Sequence, residues 1–199
     1  MRLLLRNLLL TLFFFSGTSA LVFETLWQRM MTLEFGASAP ATTAILTSFF
    51  VGIGLGAYLG GKLQGRFAFA LDFYWMLELS VAVFGLAVPL LLLVAQLIYG
   101  AAAPLVGAET VFGFSIRFLL AILAALPATL CMGATIPTMN RLLAEQKHDI
   151  GASVALAFGI NTLGAVLGCL ATGLILVPWL AIDELPDHNR RFASIRSHQ

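Results

Sequence analysis

The chain has 199 residues, 60% of them hydrophobic and 11% charged, where ordinary soluble domains carry roughly 25% charged residues. Its mean hydropathy is +0.95 and its formal net charge is +1. That balance excludes a soluble domain with a charged surface, and it supplies no basic field to hold nucleic acid.

Five apolar runs occupy most of the length, at residues 8–31, 41–63, 73–99, 116–139 and 154–182. Crossing ~30 Å of hydrocarbon takes about 20 helical residues. The expected fold is an all-α, polytopic transmembrane bundle of about five spans over residues 1–182. A polar tail without periodicity, 183–199, follows it and is expected to be disordered.

The first run follows Arg2 and Arg6 and contains Ser16-Gly17-Thr18-Ser19-Ala20. That order is also found in a signal peptide with a small-residue cleavage site. The apolar pattern continues past Trp27, which favours an uncleaved span. Glu24 lies well inside this run, with Gln28 one turn on and Arg29 near the boundary. A carboxylate at the centre of a lipid-exposed helix costs about 2.5–3.5 kcal/mol on insertion scales. Glu24 is therefore expected to be shielded from lipid and partnered, with Arg29 as one candidate. Its role is either a proton or cation site or a polar contact that fixes packing.

The second run carries Gly52, Gly56 and Gly60 at four-residue spacing, and the fifth repeats the device at Gly164 and Gly168. Such stripes let two helices approach closely. The third run opens with Asp72 at its boundary and holds Glu78 inside; Lys62 and Arg66 on the preceding link are possible partners. Pro89 and Pro127, in runs three and four, are expected to kink their helices. Asn161, in run five, is expected to hydrogen-bond across a helix interface. Trp27, Tyr58, Trp75, Tyr99 and Trp179 read as an aromatic belt of interfacial anchors.

The basic residues set the topology. Arg2, Arg6, Lys62, Arg66, Arg141 and Lys147 fall on one side, and only Arg29 and Arg117 on the other. The positive-inside rule places the first set, and the N-terminus, in the cytoplasm. Residues 100–115, with no lysine or arginine and with Glu109, read as an outer loop. Five spans then put the tail, with Arg190, Arg191 and Arg196, on the unexpected side. Cys131 and Cys169 lie within runs and read as small packing residues. His148, His188 and His198 lie outside the runs and form no cluster, so neither a metal site nor a cofactor is expected.

Taken in order, several short motifs resemble a known family. They are Ala20-Leu21-Val22-Phe23-Glu24 with Trp27-Gln28-Arg29, then Gly56-Ala57-Tyr58-Leu59-Gly60-Gly61-Lys62-Leu63. Leu77-Glu78-Leu79 and Met132-Gly133-Ala134-Thr135-Ile136-Pro137 follow. Asn161-Thr162-Leu163-Gly164-Ala165-Val166-Leu167-Gly168 and Val177-Pro178-Trp179 complete the set. Together they resemble the membrane region of bacterial fused spermidine synthase-like proteins. In that family a major-facilitator-like bundle precedes a cytoplasmic aminopropyltransferase domain. Residues 60–66 also resemble the short cytoplasmic loop of major facilitator transporters, without its usual acidic residue.

The departures from the family bear on function. Nothing after the fifth run offers a glycine-rich cofactor loop, so the resemblance implies no aminopropyl transfer by this chain itself. It implies a truncated relative or a stand-alone membrane module in a bacterial inner membrane. The expected partners are the bilayer and either a synthase-like cytoplasmic domain or another membrane subunit. Two functions are then open. One is a module that binds or transports a small cation such as a polyamine, with Glu24, Arg29, Glu78 and Asn161 as candidates. The other is a non-catalytic anchoring subunit that packs against a partner through its glycine faces.

Overall fold

The computed structural model describes residues 2–35, 39–106, 110–145 and 150–179. Five helices fill them: α1 (Arg2–Phe35), α2 (Ala39–Leu63), α3 (Ala70–Val106), α4 (Val111–Ala144) and α5 (Ile150–Ala171). The last continues through a π-helical turn, Thr172–Leu176, to residue 179. One 3₁₀ turn, Gln64–Arg66, links α2 to α3. No strand occurs among the described residues. Five helices are each long and apolar enough to cross a membrane, as the apolar runs require of a multi-pass membrane protein. The polar tail, His148, His188, His198 and Glu109 lie outside the described residues.

The helices outrun their apolar cores. α3 has 37 residues and would reach ~55 Å at 1.5 Å per residue, well beyond the hydrocarbon thickness. The segment expected as a loop, 100–115, is largely helical for two local reasons. Gly100 is followed by Ala101-Ala102-Ala103, and alanine has the best helix propensity. The next helix starts early because Thr110 caps α4, its hydroxyl accepting from the Gly113 amide at 3.0 Å. The helices continue unbroken through Pro89 and Pro127.

α4 is the central helix. Half of its span is buried, against 17–28% for the others. α2 and α3 flank it, while α1 pairs chiefly with α5 and also touches α2, α3 and α4. Small residues make this possible. Ala121, Ala124, Ala125 and Ala128 of α4 form one floor, on which Trp27, Phe49, Val81, Val88 and Leu92 pack. A second cluster, with Leu9, Phe13, Tyr74, Met139 and Leu143, fills the end where α1 begins.

Two glycine seams hold the bundle. In the α2–α4 seam, a Cβ added at Gly52 would strike Thr129, at Gly56 the Leu130 carbonyl, and at Gly60 Ala134. Gly133 of α4 answers against the Ile53 carbonyl. In the α1–α5 seam, Gly164 faces the Phe14 carbonyl and Gly168 the Thr18 carbonyl, and Gly17 answers against the Asn161 carbonyl. Every one of these approaches falls under 3.0 Å, closer than any side chain tolerates. The seams match register for register. Ile53, Gly56 and Gly60 have Asn161, Gly164 and Gly168 as counterparts. Leu130, Gly133 and Ala134 have Phe14, Gly17 and Thr18, also at a constant offset. The sequence carries the same echo, since Leu-Gly-Ala-x-Leu-Gly occurs at 55–60 and again at 163–168.

All five glycines expected to face another helix do so, but within the chain. Among the described residues these stripes are taken up within the chain, which corrects the expectation of external docking through them. The glycines that meet nothing within 4 Å include Gly54, Gly159 and Gly173.

Among the described residues, Arg2, Arg6, Lys62, Arg66 and Arg141 fall at the end where α1 begins, and Arg29 and Arg117 toward the other. At the end where α1 begins, Arg141 donates to the Gln64 carbonyl and pairs with Glu145 at 3.1 Å. That guanidinium ties the end of α4 to the α2–α3 turn. The aromatic belt is only partly realised. Tyr58, Trp75 and Trp179 are exposed, but Trp27 and Tyr99 are buried. Trp27 stacks on Phe23, with ring centroids 5.6 Å apart, and Arg117 lies 4.9 Å over the Tyr99 ring. Each ring has found an intramolecular partner, which outweighs an interfacial position.

Candidate functional site

A cleft of about 490 Å³ opens between α1 and α3. Tyr74 and Glu78 line its α3 wall, four residues apart on one helix face. Ser16 and Ser19 line the α1 wall. Two of the α1 hydroxyl groups at the cleft are held by their own helix: Thr18 donates to the Phe14 carbonyl at 2.9 Å. Ser19 already donates to the Ser16 carbonyl at 3.0 Å, which leaves its oxygen as an acceptor only. Ser16 faces Tyr74.

Tyr74 is fully buried. The Glu78 carboxylate and the Ser16 hydroxyl are the polar neighbours of its phenol, but neither closes a well-directed bond with it. Tyr74 Oη and Glu78 Oε1 are both buried without a hydrogen-bond partner. Buried polar atoms are paired in the great majority of cases, and an unpaired one costs roughly 1–3 kcal/mol. Two such atoms side by side in one cleft mark it as the place where a ligand would gain most. The remaining walls are aromatic, from Phe15, Phe23 and Trp75.

The other candidates are placed separately. Glu24 is 9% exposed, and it shares a face of α1 with Ala20, Trp27 and Met31, all part of the central cluster or packed on it. It is shielded from lipid, as expected. It is not partnered as expected: no hydrogen bond or ion pair reaches it among the described residues. Arg29 turns instead to α5 and donates to the Val177 carbonyl at 2.7 Å. That carbonyl lies just beyond the π-helical turn. Glu24 is eight residues beyond Ser16 on α1, about 12 Å along the axis, so it does not line the cleft with Glu78.

Asn161 bridges helices. Its Nδ2 donates to the Phe13 carbonyl at 3.0 Å, beside the point where Gly17 lets α5 approach. It belongs to the α1–α5 seam and not to the cleft. Lys62 does not pair with Glu78 but bonds its helix neighbour Tyr58. Cys131 packs against two core clusters. Cys169 is exposed and takes a weak 3.9 Å contact from the Thr25 hydroxyl.

A second cleft, of about 280 Å³, lies between α3 and α4 around Gln96, Tyr99 and Arg117. Its cation already rests on the Tyr99 ring. Sequence reasoning singled out Glu78 but passed over Tyr74 and Ser16. The i, i+4 spacing of Tyr74 and Glu78 was the available signal. Comparison with protein-family models, with curated proteins and with solved structures finds no match for this chain.

Proposed function

We propose that the chain is a bacterial inner-membrane module that binds a small organic cation, a polyamine or a related amine, in the α1–α3 cleft. The observation that carries this reading is the pair of unpartnered buried groups, Tyr74 Oη and Glu78 Oε1. An ammonium group supplies what both lack: a charge for the carboxylate and a donor for either oxygen. The aromatic walls suit the rest of such a ligand, because methylene segments pack on rings and a cation over a ring gains ~0.5–2 kcal/mol. The volume lies within the range of small-molecule sites. The resemblance to the membrane half of spermidine synthase-like proteins points to the same chemistry. It also makes a synthase-like domain or another membrane subunit the natural partner, with aminopropyl transfer carried out elsewhere.

The binding is testable on purified protein in lipid nanodiscs, titrated with spermidine. Glu78→Gln should weaken binding at least tenfold and Tyr74→Phe by a smaller factor, while circular dichroism stays helical. Equal affinity in wild type and Glu78→Gln would remove the reading.

The basic residues gathered at the end where α1 begins support a cytoplasmic N-terminus. A cysteine placed at Ala103 should react with an impermeant maleimide in intact cells. One at Gln146 should react only once the cells are opened. The reverse pattern would invert the topology.

A further inference from the structure

The α3–α4 cleft stands at a definite height in the bundle. Arg117 lies 24 residues before Arg141 on α4, ~36 Å at 1.5 Å per residue. Tyr99 lies 27 residues beyond Asp72 on α3, ~40 Å by the same rise. Asp72 and Arg141 mark the boundary at the end where α1 begins, and the hydrocarbon core is ~30 Å thick. Arg117 and Tyr99 therefore stand at the opposite boundary, at the level of the lipid phosphates. Below them, Leu92, Leu120 and Ala121 form an apolar deep wall. Their sequence neighbours Leu93 and Leu119 are exposed, so the surface beside the cleft faces lipid. Among the described residues that line the cleft, Arg117 alone is charged. The Tyr99 ring, 4.9 Å away, fixes the guanidinium without cancelling its charge. Gln96, half-buried on the α3 wall, makes no hydrogen bond among the described residues. At Gly100, also in the lining, an added Cβ would meet nothing within 4 Å, so the wall is open there.

We propose that this cleft seats the head of one anionic phospholipid, taken from the leaflet at that boundary. Arg117 donates to the phosphate, whose oxygens match the planar fork of a guanidinium. It lines the cleft whatever else its donors hold. The Gln96 amide serves the glycerol and ester oxygens, and the first methylenes of the chains lie on Leu92, Leu120 and Ala121. Shape and height make the occupant a bilayer lipid and not a soluble phosphate. At about 280 Å³ the cleft falls short of the ~300–1,000 Å³ that encloses a drug-sized ligand. It takes the head of an amphiphile and leaves the chains in the leaflet. A soluble anion would gain the Arg117 contact and nothing from the apolar wall, whereas a lipid gains both. The site is separate from the α1–α3 cleft and holds whatever that cleft binds.

The test uses the full chain, purified in mild detergent, stripped of lipid and titrated with dioleoylphosphatidylglycerol. Native mass spectrometry reads the lipid retained. The first lipid should bind at least fivefold more tightly than the second. Arg117→Gln should erase that preference. So should Gly100→Leu, which fills the open wall and folds normally because its Cβ meets nothing within 4 Å. Both variants should keep the helicity of the wild type by circular dichroism. Arg66→Gln removes the same charge from an exposed position at the other boundary and should leave binding unchanged. Dioleoylglycerol, which lacks the phosphate, and glycerol phosphate, which lacks the chains, should each fail to compete. Survival of the preference in either Arg117→Gln or Gly100→Leu would mean that lipid only coats the bundle, and would overturn the proposal. Competition by glycerol phosphate would make this a site for a soluble anion, and competition by dioleoylglycerol a site for acyl chains alone; either overturns it as well.

Discussion

Glu24→Met should make the protein more stable, by roughly 1–3 kcal/mol, the usual cost of a buried polar group without a partner. Glu24 as a residue is 9% exposed, beside Ala20, Trp27 and Met31, and Arg29 is committed to the Val177 carbonyl. Methionine has nearly the same length and adapts to irregular gaps, so it removes the desolvation cost without leaving a cavity. Thermal unfolding in detergent, followed by circular dichroism, reads the difference directly. A less stable Glu24→Met would mean that the carboxyl is paired. A more stable one would mean that the acid is retained against stability, which is the usual mark of a functional group inside a membrane. The sequence alone favoured the opposite sign, because Arg29 stood ready as a partner.

Gly56→Leu should abolish most folded protein. A Cβ at this position already meets the Leu130 backbone, and the flanking Gly60 and Gly133 contacts lock the same register. Added methylenes in a packed core typically cost 1–3 kcal/mol. Here the obstacle is a backbone carbonyl that cannot swing aside, so the loss should exceed that range. Gly54→Leu is the matched control: it is two residues away on the same helix, with nothing within 4 Å, and should fold normally. Gly164→Leu, the counterpart in the other seam, should fail as Gly56→Leu does. Size-exclusion profiles of the three variants decide the matter. Equal yields from Gly54→Leu and Gly56→Leu would refute the seam.

The spans were legible in the sequence because a bilayer imposes one length and one composition on every helix that crosses it. The glycine stripes were legible too, since four-residue spacing has few other uses. What the stripes face was not. Gly56 and Gly164 carry the same local sequence, and only the folded chain shows that one meets α4 and the other α1. The helix ends were misread because hydropathy reports where lipid stops and not where backbone hydrogen bonding stops, so Gly100-Ala101-Ala102-Ala103 passed for a loop. The candidate site was half visible. Glu78 drew attention as a charge, whereas Tyr74 was hidden among aromatic residues, because its burial depends on α1 and α4 and not on its neighbours in sequence.

The π-helical turn at Thr172–Leu176 has a consequence for how this chain tolerates length changes. A π turn closes on the fifth residue, as when the Val177 amide bonds the Thr172 carbonyl, so it accommodates one residue more than the α-helix around it. Deleting a single residue there should convert the segment to continuous α-helix. Everything before it, including the seam at Gly164 and Gly168, would stay in place. Everything after it would keep its face too, because the π turn absorbs the extra residue, and the Val177 carbonyl would stay within reach of Arg29. In a membrane helix most single deletions scramble one face or the other. This one should be absorbed at the π turn, leaving the arginine at the membrane boundary on its acceptor.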